Sequence, residues 1–81
     1  MEKIITLEID SDPFARAQEP LAKTIFNDIL EQEYREPNST FFGNWTWEKV
    51  ACTEKQREKI IALLSDSYDQ GLIRYASWAE Q

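Results

Sequence analysis

The sequence predicts a small α+β domain of two layers, with helices packed on one face of a short sheet. Ile5, Leu7 and Ile9 alternate with polar residues, which is typical of a strand with one buried face. Two later stretches carry apolar residues at helical spacing instead. A chain of 81 residues can build one modest core, so we assign residues 1–81 to a single domain.

The first half of the chain predicts a strand followed by a helix. The strand runs from about Lys3 to Asp10, and Ser11-Asp12-Pro13 then offers a cap followed by a proline suited to a first helical turn. Pro20 interrupts this pattern, so either a short turn precedes the main helix or the helix kinks. We favour a main helix from about Pro20 to Arg35. Its apolar stripe comprises Ala22, Ile25, Phe26, Ile29 and Leu30.

A hairpin is the best interpretation of the middle of the chain. Glu36-Pro37-Asn38-Ser39 stops the first helix, because the residue before proline is pushed out of helical conformation. Gly43-Asn44 suits a two-residue turn between strands at about Thr40 to Phe42 and Trp45 to Ala51. A loop leading into a single strand over residues 40–52 is the alternative.

The second helix has matching start and stop signals. Thr53 and Gln56 have the spacing of a capping box, and Gly71 suits the left-handed residue that ends a helix. The helix is predicted from about Glu54 to Gln70. Its apolar stripe comprises Ile60, Ile61, Leu64 and Tyr68, with Leu63 on the flank. Residues 72–78 fit either a last strand or a docked tail. The predicted order is therefore β-α-β-β-α.

The residue types argue against an enzyme. The chain has no His and one Cys, Cys52, so a zinc site and a nucleophile paired with His are excluded within one chain. Neighbouring carboxylates such as Glu31 and Glu33, or Asp66 and Asp69, have the spacing of solvated helix surface rather than of a catalytic pair. We predict no catalytic residues, no cofactor and no metal. No stretch approaches the length of a membrane span, and the N-terminus lacks a signal peptide, so we expect a cytoplasmic protein.

The aromatic stretch Phe41–Trp47 has two interpretations. Its side chains, Phe41, Phe42, Trp45 and Trp47, could stack on single-stranded nucleic acid. The net charge of −6 opposes this, because such platforms lie beside a basic groove. We therefore expect no direct nucleic-acid binding, and assign these aromatics to the core or to a homodimer interface.

Acidic residues close both predicted helices, at the end where negative charge opposes the helix dipole. Each costs from a few tenths to about 1 kcal/mol in such a position. Neutralisation by Arg35, Arg74 or another basic side chain would make them ordinary surface. The alternative is a negative patch that binds a basic protein surface. The residues concerned are Glu31, Glu33 and Glu36 in the first helix and Asp66 and Asp69 in the second.

Ala51-Cys52-Thr53, followed by a charged run and Ile60-Ile61-Ala62-Leu63-Leu64, resembles the last helix of the DinI-like family. These are small SOS-, plasmid- or phage-encoded modulators of the RecA recombinase filament. The resemblance implies a β-α-β-β-α domain whose acidic last helix engages RecA. It places the contact on Asp66 and Asp69, with Glu58 as an extension. The Trp-rich middle and the tail from Leu72 to Gln81, which carries Arg74, depart from the family pattern.

Two other functions remain as alternatives. One is a phage- or plasmid-type inhibitor that mimics nucleic-acid charge, of the anti-restriction or anti-CRISPR kind, and blocks the basic channel of a nucleic-acid enzyme. The other is a winged-helix-like DNA-binding protein, suggested by Gly71 to Tyr75 following a helix as a wing would. A recognition helix ending in Asp66 and Asp69 would repel phosphates, so this last function ranks third.

Overall fold

The protein folds into a four-stranded antiparallel sheet with two helices on one face. The computed structural model describes residues 2–11, 16–41 and 44–81. The strands lie in the order β2-β3-β1-β4. Along the chain, the elements are β1 (Glu2–Asp10), α1 (Gln18–Lys23) with its π-helical continuation (Thr24–Ile29), β2 (Ser39–Phe41), β3 (Asn44–Thr53), α2 (Glu54–Asp69) and β4 (Tyr75–Glu80). The predicted α+β class and the order β-α-β-β-α are confirmed, and β4 follows them.

Strand β1 lies between β3 and β4 and supplies the centre of the core. Ile5, Leu7 and Ile9 have no exposed surface, while the residues between them are partly exposed on the other face of the sheet. The alternation seen in the sequence is therefore the alternation of buried and open faces. The open face has no helix over it within the described part of the chain.

The first helix begins and ends earlier than the sequence predicts. It starts at Gln18, which places Pro20 in the first turn, where its missing N–H would have no partner anyway. The predicted end at Arg35 is wrong, since Glu31 adopts a left-handed conformation (φ 54°) and the Gln32 N–H donates to the Phe26 carbonyl. The predicted start near Ser11 to Pro13 falls largely on residues 12–15, outside the described residues.

The chain after the first helix runs along the edge of β3. The Gln32 side chain donates to the Ala51 carbonyl (3.0 Å), and Arg35 donates to the Glu48 carbonyl (2.6 Å). Trp47 in turn donates from Nε1 to the Arg35 carbonyl (2.7 Å). These bonds hold the segment after the helix against β3, so the helix stops well before the proline that the sequence suggests as its end.

Strands β2 and β3 form the predicted hairpin. Phe41 pairs with Asn44, so Asn44 belongs to β3 rather than to the turn, and the predicted turn residue Gly43 lies outside the described residues. Strand β3 also contains a bulge, where the pairing with β1 shifts and Lys49 has a φ of 55°. Because of the extra residue, the side chain of Val50 lies on the same buried face of the sheet as that of Trp47.

Helix α2 has the predicted caps. The Gln56 N–H donates to the Thr53 hydroxyl (3.1 Å), and the Thr53 N–H donates to the Gln56 side chain (2.9 Å). At the other end, Gly71 has a φ of 77° and the Leu72 N–H donates to the Ser67 carbonyl, which is the Schellman arrangement. The capping signals in the sequence therefore placed both ends of this helix correctly.

The buried face of α2 differs from the predicted stripe. Ile60 and Leu64 are buried as predicted, Ile61 is half-buried, and Tyr68 is 59% exposed. Ser67 occupies the buried position instead, and its hydroxyl donates to the Leu63 carbonyl (2.8 Å). Because a hydroxyl bonded to its own helix needs no other partner, a small polar residue can face the core here.

The difference in burial predicts unequal effects of two neighbouring substitutions. Ile60→Ala should lower the free energy of unfolding by about 2–5 kcal/mol, because it opens a cavity in the core. Ile61→Ala should cost clearly less, since Ile61 already contacts solvent. Urea denaturation followed by tryptophan fluorescence measures both, and an equal loss in the two variants would contradict the assigned face of α2.

Candidate functional site

The exposed face of α2 carries three carboxylates, which we call the α2 acidic surface: Glu58, Asp66 and Asp69. Their spacing of eight and then three residues places them on the side of the helix opposite Ile60 and Leu64. All three are exposed. Asp66 accepts a hydrogen bond from the Gln70 side chain (2.7 Å), and among the described residues no Lys or Arg forms an ion pair with any of the three.

The basic side chains expected to neutralise these carboxylates are engaged elsewhere. Arg74 binds Asp10 at the end of β1 (3.1 Å), and Arg35 donates to the Glu48 carbonyl on the far side of the sheet. The last turn of α2 contains no basic residue. Asp66 and Asp69 therefore keep their unfavourable interaction with the helix dipole.

Glu31, Glu33 and Glu36 do not close a helix. They follow the end of the first helix and lie exposed in the segment that runs along β3. The C-terminal half of α2 lies beside β4, at the opposite edge of the sheet. Since β3 and β1 separate the two edges, the predicted acidic residues form two separate groups rather than one patch.

A groove of about 360 Å³ lies between the C-terminal half of α2 and β4. Asp69 is the one residue of the α2 acidic surface that lines it. The remaining lining residues are Leu64, Ser65, Tyr68, Arg74, Tyr75, Ala76 and Trp78. Tyr68 is 59% exposed and Tyr75 is 50% exposed. Two large aromatic residues therefore line the groove together with the Asp69 carboxylate. Sequence analysis missed this groove because it assigned Tyr68 to the core and left residues 72–78 open.

Of the aromatic stretch Phe41–Trp47, the two tryptophans pack in or against the core. Trp47 has no exposed surface and lies with its ring centre 6.0 Å from that of Phe26. Trp45 is half-buried and packs at 6.0 Å on Trp47. Residues 42 and 43 lie outside the described part of the chain. A stacking platform or a dimer interface that requires Trp47 is therefore not what this fold offers.

A second charged cluster is structural. Lys3 of β1 contacts Glu54 of α2 (3.2 Å) and Glu80 of β4 (3.3 Å), and Arg57 lies within 3.9 Å of both carboxylates. Hydrogen bonds from Lys3 to Glu54 and then Glu80 raise the pKa of Lys3 above its usual value. The cluster joins three elements and leaves no net charge for a partner.

No group of three or more metal-binding side chains comes together within residues 2–11, 16–41 and 44–81. None of the helices in the same ranges is long and apolar enough to cross a membrane. Cys52 is buried on β3, and its burial raises the pKa of the thiol above the usual value. Burial and the raised pKa both disfavour the reactive thiolate.

No family model matches the sequence, and no characterised protein or solved structure is significantly similar to it. The resemblance to the DinI-like family therefore has the pattern of residues 51–64 and the order of elements as its support. The strand β4 after the last helix is a departure from the family's β-α-β-β-α order.

The burial of Cys52 predicts slow thiol chemistry in the native state. The single thiol should react with a disulfide reagent at pH 8 at least about tenfold more slowly in native protein than in protein unfolded by urea, because only the exposed thiolate reacts. The absorbance change of the reagent measures both rates. Equal rates in the two states would show that the β3 face carrying Cys52 opens readily.

Proposed function

We propose that the protein is a non-enzymatic regulator that binds a basic protein surface through the α2 acidic surface. The observation that carries the proposal is the pair Asp66 and Asp69. Both are exposed at the end of a helix where they cost stability, and no basic side chain of the described residues pairs with them. Electrostatic complementarity of this kind increases the association rate and excludes acidic partners.

The partner we propose is the RecA recombinase filament. The order of elements over residues 2–69 and the acidic second half of α2 support it, since both agree with what the DinI-like resemblance implies. The residues assigned to the contact are Asp66 and Asp69, extended by Glu58 about two to three turns earlier on the same face. Glu31, Glu33 and Glu36 lie at the other edge of the sheet and are left out of this contact.

Neutralising the two aspartates should separate stability from binding. In Asp66→Asn/Asp69→Asn, the free energy of unfolding should stay within about 0.5 kcal/mol or rise, because charge is removed from the unfavourable end of a dipole. Affinity for purified RecA filament should fall by about tenfold or more. Urea denaturation and co-sedimentation with the filament measure the two quantities.

The matched control is Glu31→Gln/Glu33→Gln, which removes the same charge from the other edge of the sheet. It should bind like the wild type, whereas equal weakening by both variants would show a response to net charge alone.

A pull-down from bacterial lysate tests the partner independently. Recovery of a different nucleic-acid enzyme by wild type alone would replace RecA and favour the inhibitor that mimics nucleic-acid charge. Equal recovery by wild type and the aspartate variant would remove the α2 acidic surface from the function.

The charge distribution also predicts that the protein does not bind DNA. Lys3, Lys23, Arg57 and Arg74 each form an ion pair with a carboxylate, and the chain as a whole carries a net charge of −6. Filter binding with single- and double-stranded DNA should therefore show no retention at physiological salt. Tight binding that weakens steeply as salt is added would instead make nucleic acid the primary ligand.

A further inference from the structure

The groove between α2 and β4 has one wall from the helix and one from the strand. Tyr68 and Asp69 are the last two residues of α2, and Trp78 lies on β4. Trp78 is opposite the buried Leu7 of β1, so its side chain lies on the helix face of the sheet, partly buried against the core. A phenol, a carboxylate and an indole therefore border the same space of about 360 Å³.

Large apolar side chains are exposed mainly around this groove. Of the four such residues in the described part of the chain, Tyr68, Leu72 and Tyr75 lie within eight positions of one another, and Ile4 is the fourth. Clustered apolar surface marks a binding site, whereas single exposed residues are ordinary. The groove therefore has the composition of a ligand site, in which aromatic walls surround a few polar groups.

Two charged residues line the groove, and Asp69 is the one whose charge is not balanced. The Arg74 side chain binds the Asp10 carboxylate (3.1 Å), and its backbone N–H donates to the Asp10 carbonyl (2.7 Å). No Lys or Arg within residues 2–11, 16–41 and 44–81 forms an ion pair with Asp69. Asp66 lies one turn earlier on α2 and adds to the negative potential. The groove therefore attracts a cation.

We propose that the groove binds one arginine side chain of the partner protein, whose guanidinium donates to the Asp69 carboxylate and lies against the rings of Tyr68 and Trp78. A guanidinium is flat and weakly hydrated and stacks on aromatic rings, whereas the ammonium of lysine is a strongly hydrated point charge. The attraction between a cation and a ring increases as water is excluded. The volume of the groove is at the lower end of the range for ligand pockets, which suits a single side chain.

This site rests on the proposed function, because the arginine belongs to the basic surface that the α2 acidic surface binds. Exposed ion pairs contribute little to affinity. Arginine and aromatic residues in a desolvated pocket, in contrast, supply much of the binding energy of protein interfaces. Asp69 belongs to both the groove and the α2 acidic surface, so an arginine held there brings the neighbouring basic residues of the partner close to Asp66.

Titration of the intact protein with a single blocked amino acid tests the groove without the partner. N-acetyl-arginine methylamide should bind with a dissociation constant on the order of a few millimolar. It should move the indole N–H signal of Trp78 in the proton–nitrogen NMR spectrum. The signals of Trp47, which is fully buried, and Trp45 on β3 are internal controls and should stay in place. Citrulline blocked in the same way has a similar shape without the charge and should leave Trp78 unmoved, and blocked lysine should bind more weakly.

Variants of Tyr68 separate the aromatic ring from general apolar contact without changing the net charge. Tyr68→Leu should weaken binding of the blocked arginine about two- to fivefold, which is the effect of a contact between a cation and a ring. Tyr68→Phe keeps the ring and should bind like the wild type. Both should fold, since the side chain is largely exposed on a helix, and urea denaturation checks this. Asp69→Asn should weaken binding at least about threefold, because the acceptor loses its charge.

Three results would each overturn the proposal: a Trp78 signal that does not move with arginine, equal movement with citrulline or lysine, and wild-type affinity in Tyr68→Leu. Failure of this site is distinguishable from failure of the proposed function. Loss of filament binding in Asp66→Asn/Asp69→Asn with no effect of Tyr68→Leu would keep the α2 acidic surface and remove the groove. Movement of Trp78 with arginine in a protein that does not bind the filament would keep the arginine site and exclude RecA as the partner.

Discussion

The burial of one face of β1 is the interaction on which the rest of this structure depends. Ile5, Leu7 and Ile9 are fully buried, and each contributes on the order of 1.5–3 kcal/mol by leaving water. β1 is paired along both sides, so its register also positions β3 and β4. The helix layer packs on the face that this strand defines, and a slip of one residue would turn the whole apolar set to solvent.

The bulge in β3 allows both odd- and even-numbered residues of this strand to face the core. Trp47 is odd-numbered, whereas Val50 and Cys52 are even-numbered, yet all three are buried on one face. One extra residue must be inserted between them, and Lys49 takes the left-handed conformation that allows it. For a residue other than glycine this conformation costs about 1–2 kcal/mol. The burial of Trp47 on one side of the bulge and Val50 on the other offsets that cost.

The surface is organised asymmetrically around this core. One edge of the sheet is covered by the segment carrying Glu31, Glu33 and Glu36, and the other edge strand, β4, lies beside the groove and the C-terminal half of α2.

The sequence by itself determined those features that local interactions control. The alternation in β1 and both ends of α2 follow from the pleat of a strand and from capping groups within a few residues of each other, as the Thr53–Gln56 pair shows. The acidic C-terminal half of α2 and the absence of His are likewise properties of the chain alone. These were sufficient to predict the fold class and to identify Asp66 and Asp69 as candidate binding residues.

Tertiary structure decided the features that depend on contacts distant in sequence. The first helix ends at Ile29 because Trp47, Gln32 and Arg35 hold the following segment against β3, bonds that no local pattern contains. Because of that contact, Glu31, Glu33 and Glu36 lie at the edge of the sheet that is remote from β4. Packing of α2 over the sheet buries Ser67 and leaves Tyr68 exposed, which apolar spacing alone could not distinguish. The pairing of β4 with β1 made the tail, which the sequence left undecided, the last strand of the sheet, because a strand is defined by its neighbour as much as by its own residues.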